Sequence, residues 1–270
     1  LCRAEEGRPF SRQLPPVLAG DRVLFTRQVE GTGVIEEVLP RRSYLVRPPV
    51  ANVQQLIVVF ATTRPDPDLV LLDRLLVTAE YQGLVPLVCF NKIDLSTPRA
   101  VAALARPYRQ AGYKVLRTSA KEGTNLPSLR RALQGKISAL AGPSGVGKSA
   151  LINALTGAGR PTGEVAARTG RGRHTTRTVE FLPLPGGGFI ADTPGFSALD
   201  TSELTPSQLA ACFPEIARHA EGCRFGSSCR HDQEPGCAVK AALDRGEIAA
   251  GRYQNYLLFL RQGQEKARGR

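Results

Sequence analysis

One octapeptide and its setting constrain this chain more than any other feature. The apolar run Ile137 to Ala141 leads into Gly142-Pro143-Ser144-Gly145-Val146-Gly147-Lys148-Ser149, and the helix-forming stretch Ala150 to Leu155 follows. A strand, a glycine-rich loop closing on Gly-Lys-Ser and a helix form a phosphate-binding P-loop in the context it needs. The glycines let backbone N–H groups converge on phosphates, and the helix N-terminus adds positive potential. In that frame Lys148 reaches the β and γ phosphates and Ser149 supplies a hydroxyl to Mg²⁺.

The surrounding text alternates strands with helices, the pattern of a parallel sheet covered on both faces. Strands are predicted at Leu56 to Thr62, Leu84 to Phe90, Tyr113 to Thr118 and Ile137 to Ala141. Helices are predicted at Pro67 to Gln82, Pro98 to Gln110 and Leu126 to Ala132. A strand pair near Thr178 to Leu184 and Gly188 to Asp192 follows, joined by Pro185-Gly186-Gly187.

Three further motifs fall at strand ends, where such sheets bind ligands. Asn91-Lys92-Ile93-Asp94 follows the second strand. A carboxylate at Asp94 accepts both N1–H and the exocyclic amine of guanine, whereas adenine presents an acceptor at N1 and is rejected. Thr118-Ser119-Ala120-Lys121 ends the third strand, with the N–H of Ala120 placed to meet the guanine oxygen. Asp192-Thr193-Pro194-Gly195 ends the last, setting a carboxylate to hold a Mg²⁺-bound water and the Gly195 N–H near the γ phosphate. All four motifs suit one ligand, GTP or GDP. Their order is the informative part: an ordinary GTPase runs P-loop, switch threonine, Asp-x-x-Gly, Asn-Lys-x-Asp and Ser-Ala-Lys, and this chain places the last two first. The domain is circularly permuted, so that Asp192 to Phe196 lead straight into the C-terminal region and nucleotide state is expected to act on it directly.

Between the P-loop and Asp192 lies the basic segment Thr169 to Arg177, which reads as a switch. Thr175 or Thr176 is the second hydroxyl ligand to Mg²⁺, with Thr176 favoured. The place after the Asp-x-x-Gly glycine, often Gln, is held by Phe196, which cannot orient water. His174 is the nearest candidate to do so.

The flanks differ in character. From Leu18 to Val46 short strands at Asp21 to Thr26, Gly31 to Val38 and Ser43 to Val46 fit a small five-stranded barrel of the OB type. Downstream, Cys223, Cys229, His231 and Cys237 lie within fifteen residues and make a closed set for one structural Zn²⁺. Cys212 and His219 are looser substitutes as ligands, Cys2 and Cys89 read as structural, and paired disulfides do not suit a reducing compartment. The closing segment Arg252 to Arg270 reads as a helix packing back on this unit. The net charge of +12, with 29 Arg against 7 Lys, points to a polyanionic partner such as RNA. No apolar run approaches the roughly 18 to 20 residues that span a bilayer, and no targeting segment is visible. The sequence holds no Met, position 1 included, consistent with a trimmed start.

Taken together, Gly20-Asp21-Arg22-Val23, Asn91 to Asp94, Gly142 to Ser149, Gly172 to Thr176, Asp192 to Phe196 and Cys229 to Val239 resemble the circularly permuted, small ribosomal subunit-dependent GTPases, the RsgA or YjeQ family. The resemblance covers nearly the whole chain. It implies a multidomain fold: an N-terminal OB-fold RNA-binding domain (1–50), a permuted α/β P-loop GTPase domain (51–199) and a mostly helical zinc-binding domain (200–270). It implies a cytoplasmic, monomeric GTP hydrolase that matures the 30S subunit through its 16S rRNA and is stimulated by that subunit, with His174 as catalytic histidine. The family's zinc motif has a four-residue first interval, and Arg224 to Ser228 make five here, an excess that a bulge at Gly226 can absorb. A GTP-gated RNA-binding scaffold and a permuted GTPase of the large subunit are the alternatives.

Overall fold

A computed structural model of the chain describes residues 17–28, 33–46, 49–157, 179–192 and 198–268. Two small hairpins come first: β1 (Val23–Arg27) with β2 (Gly33–Val38), and β3 (Tyr44–Val46) with β4 (Pro49–Ala51), both antiparallel. The turn before β1 is pinned by Asp21, whose carboxylate accepts from Arg41 Nε and Nη2 at 2.7 and 2.8 Å and from the Leu18 N–H at 2.7 Å. Pro48-Pro49 reads in the sequence as a break, yet Pro49 pairs with Val46. Proline is tolerated there because β4 is an edge strand. Leu45 and Val50 are fully buried in the cluster that lines one face of the main sheet, so this hairpin is packed into that sheet's core. The described residues contain these two hairpins and not the five strands of a closed barrel.

The main sheet comprises β5 (Gln55–Ala61), β6 (Val85–Asn91), β7 (Lys114–Arg117), β8 (Ile137–Ala141), β9 (Glu180–Pro183) and β10 (Phe189–Asp192), in the order β7-β6-β5-β8-β10-β9. Every pairing is parallel except β9 with β10. The helices between strands are α1 (Leu69–Tyr81), α2 (Pro98–Ala111), α3 (Leu126–Leu133) and α4 (Lys148–Thr156). Asp68 caps α1 by accepting the Leu71 N–H, and Thr97 caps α2, which starts on Pro98 and stops at Gly112 with φ of 106°. Strand β5 sends Leu56, Val58 and Phe60 to one face, against Leu72, Leu75 and Leu76 of α1. It sends Ile57 and Val59 to the other, against Leu129 of α3 and Leu151 of α4. Each such side chain contributes about 1.5–3 kcal/mol, so this central strand outweighs any surface ion pair in the chain.

The link from α3 to β8 is short, residues 134–136, and Lys136 Nζ donates to Gln55 Oε1 at 3.1 Å across it. The P-loop strand β8 therefore lies beside β5, the strand at which the chain enters the sheet.

After residue 197 the chain is mostly helical, with α5 (Pro206–Ala211), α6 (Pro214–Ala220), α7 (Ala238–Asp244) and α8 (Ala250–Arg268) around Phe213, Ile216, Tyr256 and Phe259. This unit is keyed to the main sheet's helix α1 by one buried charge. Arg252 of α8, 2% exposed, donates to Asp73 of α1 at 2.6 Å and to both oxygens of Glu215 on α6 at 2.6 and 3.0 Å, with its guanidinium 4.7 Å from the Phe213 ring centroid. The Leu199 N–H donates to Thr78 Oγ1 of α1 at 2.9 Å, so the segment leaving the Asp-x-x-Gly region is tied to the same helix. The C-terminal unit is thus docked on α1 rather than free. No helix among the described residues is long and apolar enough to cross a membrane.

Removing Arg252 strands two buried carboxylates, whereas removing Lys266, whose partners Asp200 and Glu203 are exposed or partly so, strands none. Arg252→Met is expected to lower stability by about 3–5 kcal/mol, and Lys266→Ala to leave it nearly unchanged, its ion pairs being exposed to solvent. Urea unfolding of each variant, followed by circular dichroism, measures the difference.

Candidate nucleotide and metal sites

The carboxyl ends of β6, β7 and β8 carry Asn91 to Asp94, Thr118 to Lys121 and the P-loop along one edge of the sheet, and β10 brings Asp192 to the same edge. Gly142 turns out of β8 with φ of 143°, and a Cβ there would lie 2.0 Å from the Val59 carbonyl oxygen, so only glycine fits. Ser144, Gly145 and Ser149 are exposed and Val146 is buried. Helix α4 begins at Lys148 with Gly147 as its N-cap and no side-chain cap, which leaves its first N–H groups available to an anion. Lys148 Nζ donates to the carbonyls of Gly142 and Pro143, both at 2.8 Å. Burial holds its pKa below the ordinary lysine value, and the charge of Asp192 opposes that shift. Asp192 closes β10, the strand beside β8, and so acts on the P-loop lysine.

The base-side loops are joined to the P-loop through the Asn91 amide. Asn91, 1% exposed, donates from Nδ2 to the Val146 carbonyl at 3.0 Å, while its Oδ1 accepts from the Ala120 N–H at 3.1 Å and from Thr118 Oγ1 at 3.2 Å. Gly147 is matched to this arrangement, since a Cβ there would sit 2.4 Å from Asn91 Nδ2. Ser119 Oγ donates to Asp94 Oδ1 at 2.5 Å and accepts the Glu122 N–H at 3.1 Å, so the carboxylate is oriented by the neighbouring loop. Lys92, at φ of 60°, donates from Nζ to the Arg64 carbonyl at 2.6 Å. A cleft of about 200 Å³ brings Lys92, Asp94, Ala120 and Lys121 together with Gly147 and Ala150. It presents an exposed acceptor pair at Asp94 beside a helix N-terminus, which suits a base with adjacent N–H donors carrying a phosphate.

His174, Thr175, Thr176, Gly195 and Phe196 lie outside the described residues. Thr118 was passed over as a site residue by sequence reasoning. Its only signal was its place ahead of Ser119-Ala120-Lys121, which does not reveal that its hydroxyl turns inward to Asn91. The wall that Arg64 adds beside Lys92 carried no motif.

The second cluster is Cys223, Cys229, His231 and Cys237, all buried, with ligand atoms within 4.8 Å of one another. Cys223 Sγ lies 3.8 Å from Cys237 Sγ, and His231 Nδ1 lies 3.5 and 3.6 Å from those two sulfurs. A zinc tetrahedron with bonds of about 2.3 Å to sulfur and about 2.0–2.1 Å to nitrogen has edges of about 3.8 and 3.6 Å, so these residues fit the ion. Burial lowers the pKa of His231, favouring the neutral ring that ligates, and pushes Cys229 up to about 12, so a cation is needed to hold it as thiolate. The five-residue interval is taken up by the 3-10 turn Gly226–Ser228, entered at Gly226 with φ of 50°. Around the ligands, Glu234 accepts the N–H groups of Arg230 and Asp232, and Tyr253 and Tyr256 of α8 donate to the carbonyls of His231 and Arg230. Cys212 is instead packed in the core of this unit, and His219 Nε2 lies 3.7 Å from Glu247. Cys89 is buried within the sheet, and Cys2 lies outside the described residues.

Two outcomes are expected from these geometries. Asp94→Asn should weaken GDP binding by roughly 10²–10⁴-fold, two charge-assisted hydrogen bonds being lost, and should shift preference toward xanthosine diphosphate, whose C2 carbonyl takes the new amide donor. Competition binding with the two nucleotides checks this. Cys229→Ala should reduce bound zinc from one ion per chain to a small fraction and expose the segment after residue 200 to protease, as read by elemental analysis and limited proteolysis.

The RsgA GTPase family model matches residues 38–202. Over 96% of the chain, it is 49% identical to the small ribosomal subunit biogenesis GTPase RsgA of Moorella thermoacetica, covering 88% of that protein. Over its full length it is 48% identical to the protein of the same name from Caldanaerobacter subterraneus, covering 90% of it. Among solved structures, YloQ, described as a circularly permuted GTPase, superposes with a TM-score of 0.78 at 33% identity, over 96% of this chain and 85% of that one. YjeQ from Thermotoga maritima superposes with a TM-score of 0.78 at 37% identity, over 93% and 86%. With its motifs in permuted order on one edge of the sheet and its length matched throughout, the chain belongs to the RsgA family of GTP-hydrolysing enzymes.

Proposed function

We propose that this GTPase binds the small (30S) ribosomal subunit through its 16S rRNA, assists late maturation of that subunit in the cytoplasm, and is stimulated by it to hydrolyse GTP. The observation that carries the reading is the Asn91 amide, which joins the guanine-side loops to the P-loop of a permuted domain. Relatives of 42–49% identity that bear the name of small-subunit biogenesis GTPase support the choice of partner. A charge of +12 suits an RNA surface, through release of counterions from its phosphates. We take the chain as a monomer of three units: an OB-type RNA-binding unit to about residue 50, with β4 at the junction, the permuted domain to about 199, and the zinc unit beyond.

In this reading Asp94 accepts from guanine, the Ala120 N–H meets its oxygen, and Lys92, Ser119 and Lys121 frame the base. Backbone N–H groups of Ser144, Gly145, Val146 and Gly147 hold the phosphates, with Gly142 and Pro143 shaping the entry to the loop, and Lys148 spans the β and γ groups. A Mg²⁺ ion, when bound, neutralises charge on those phosphates. Ser149 and Thr176, or Thr175 in its place, offer it hydroxyls and Asp192 a carboxylate by way of water, a donor set of hard oxygens. Gly195 presents its N–H to the γ phosphate. His174 orients the attacking water, because Phe196 occupies the place from which glutamine would do so. Cys223, Cys229, His231 and Cys237 hold the zinc that organises the C-terminal loops. Phe196 also favours a second reading, a GTP-gated RNA-binding scaffold of negligible turnover.

GTP turnover by the protein alone, with 30S and with 50S subunits separates the readings. Stimulation of about 10²-fold or more by 30S alone, lost in His174→Ala, is the expected result, in line with the scale of general-base contributions. Equal stimulation by 50S would move the assignment to the large subunit, and none by either would leave the scaffold.

A further inference from the structure

We infer that Thr118 and Cys89 are positioning residues for nucleotide binding: they form a buried chain of donors that fixes the Asn91 amide, and through it the registration of the base-binding loops on the P-loop. The inference rests on the nucleotide site proposed above and adds two residues to it. Thr118 and Cys89 are both fully buried. Thr118 follows β7, its N–H donating to the Phe90 carbonyl at 2.8 Å, and its Oγ1 lies 3.3 Å from Cys89 Sγ of β6 and 3.2 Å from Asn91 Oδ1.

Proton counting sets the direction of this chain. A threonine hydroxyl has one proton, and an amide oxygen can only accept, so Thr118 donates to Asn91 Oδ1. Its lone pairs are then the acceptor for Cys89, whose thiol stays protonated because burial pushes its pKa to about 11. Asn91 Oδ1 thus receives two donors, one of them the immovable Ala120 N–H, and a flipped amide would turn its own N–H groups toward both. With the oxygen held, Nδ2 can only face the Val146 carbonyl inside the P-loop. Gly147 leaves that nitrogen its place, since a Cβ there would lie 2.4 Å from it. A thiol and a hydroxyl that touch no nucleotide therefore decide how firmly the phosphate loop and the base loops are held in mutual register.

The test is dissociation of a fluorescent GDP analogue from the full chain, with thermal melting of the same samples. Thr118→Val keeps the shape and removes the hydroxyl; release is expected to quicken about tenfold. Thr118→Ser restores the donor and should bring release back within about twofold. Cys89→Ala should quicken it about threefold, and Cys89→Ser, with a stronger donor, should not. In an Asn91→Ala background Thr118→Val should add less than about twofold, because its effect passes through that amide. Unchanged release in Thr118→Val, or the same tenfold change with and without Asn91, would overturn the inference. Should Thr118→Val fail to fold, the cycle is run with Cys89→Ala and Asn91→Ala, and additivity there overturns it equally. A native chain that binds no guanine nucleotide would instead defeat the underlying site reading, and the inference with it.

Discussion

The nucleotide edge of this protein depends on one side-chain amide being unable to turn. Of three loops at three strand ends, Asn91 to Asp94 and Thr118 to Lys121 share a backbone hydrogen bond, Ile93 N–H to the Thr118 carbonyl at 3.2 Å, and the Asn91 side chain extends that pairing to the third, Gly142 to Ser149. Its oxygen faces two donors and its nitrogen one carbonyl, in a setting excluded from water, where an unmade hydrogen bond costs about 1–3 kcal/mol. The glycines of the P-loop are part of the same constraint, since Gly142 must clear the Val59 carbonyl and Gly147 must clear the Asn91 amide. The loops are therefore shaped by the sheet beneath them before any ligand arrives.

The permuted order of motifs costs the sheet little. What matters to β8 is that its neighbours be β5 and β10 in parallel register, and residues 134–136 deliver it there from α3. The new covalent break falls instead between the Asp-x-x-Gly region and β5, and both sides of it are secured by packing. On one side the β3–β4 hairpin buries Leu45 and Val50 in the core of the sheet. On the other, Leu199 is hydrogen-bonded to α1, and Arg252 joins α8 and α6 to that helix. Helix α1, which directly follows the central strand, thus carries the C-terminal unit and the exit from the Asp192 region together.

Much of this was legible in the sequence because it is local. The P-loop, Asn91 to Asp94 and Ser119 to Lys121 are contiguous motifs whose meaning follows from a strand before and a turn after, and the alternating apolar runs located β5, β6 and β8 within one residue at either end. The Cys223 to Cys237 set was readable for the same reason, its four residues lying within one loop. What the sequence concealed is long-range. Strand β4 hides behind two prolines that normally end structure. Arg252 in a sequence is one of 29 arginines, and nothing near it signals Asp73, which lies 179 residues away. Thr118 was in plain view, but a buried threonine at a strand end is ordinarily only a β-branched residue filling space.

The two hidden elements share a physical logic. A buried guanidinium is costly to desolvate, and Arg252 is tolerable only with Asp73 and Glu215 in place and Phe213 stacked beside it. Hydrophobic packing alone would hold the C-terminal unit against α1 at least as strongly, but it would not discriminate one helix register from the next. Paired charges do, because a slip of one residue would leave a carboxylate unpaired in an apolar interface. Orientation matters here because the loop that carries Cys223, Cys229, His231 and Cys237 is braced by α8 itself, through Tyr253 and Tyr256. The direction in which the cysteine cluster faces, relative to the edge where Asp94, Lys148 and Asp192 gather, is therefore set by the same helix that carries Arg252.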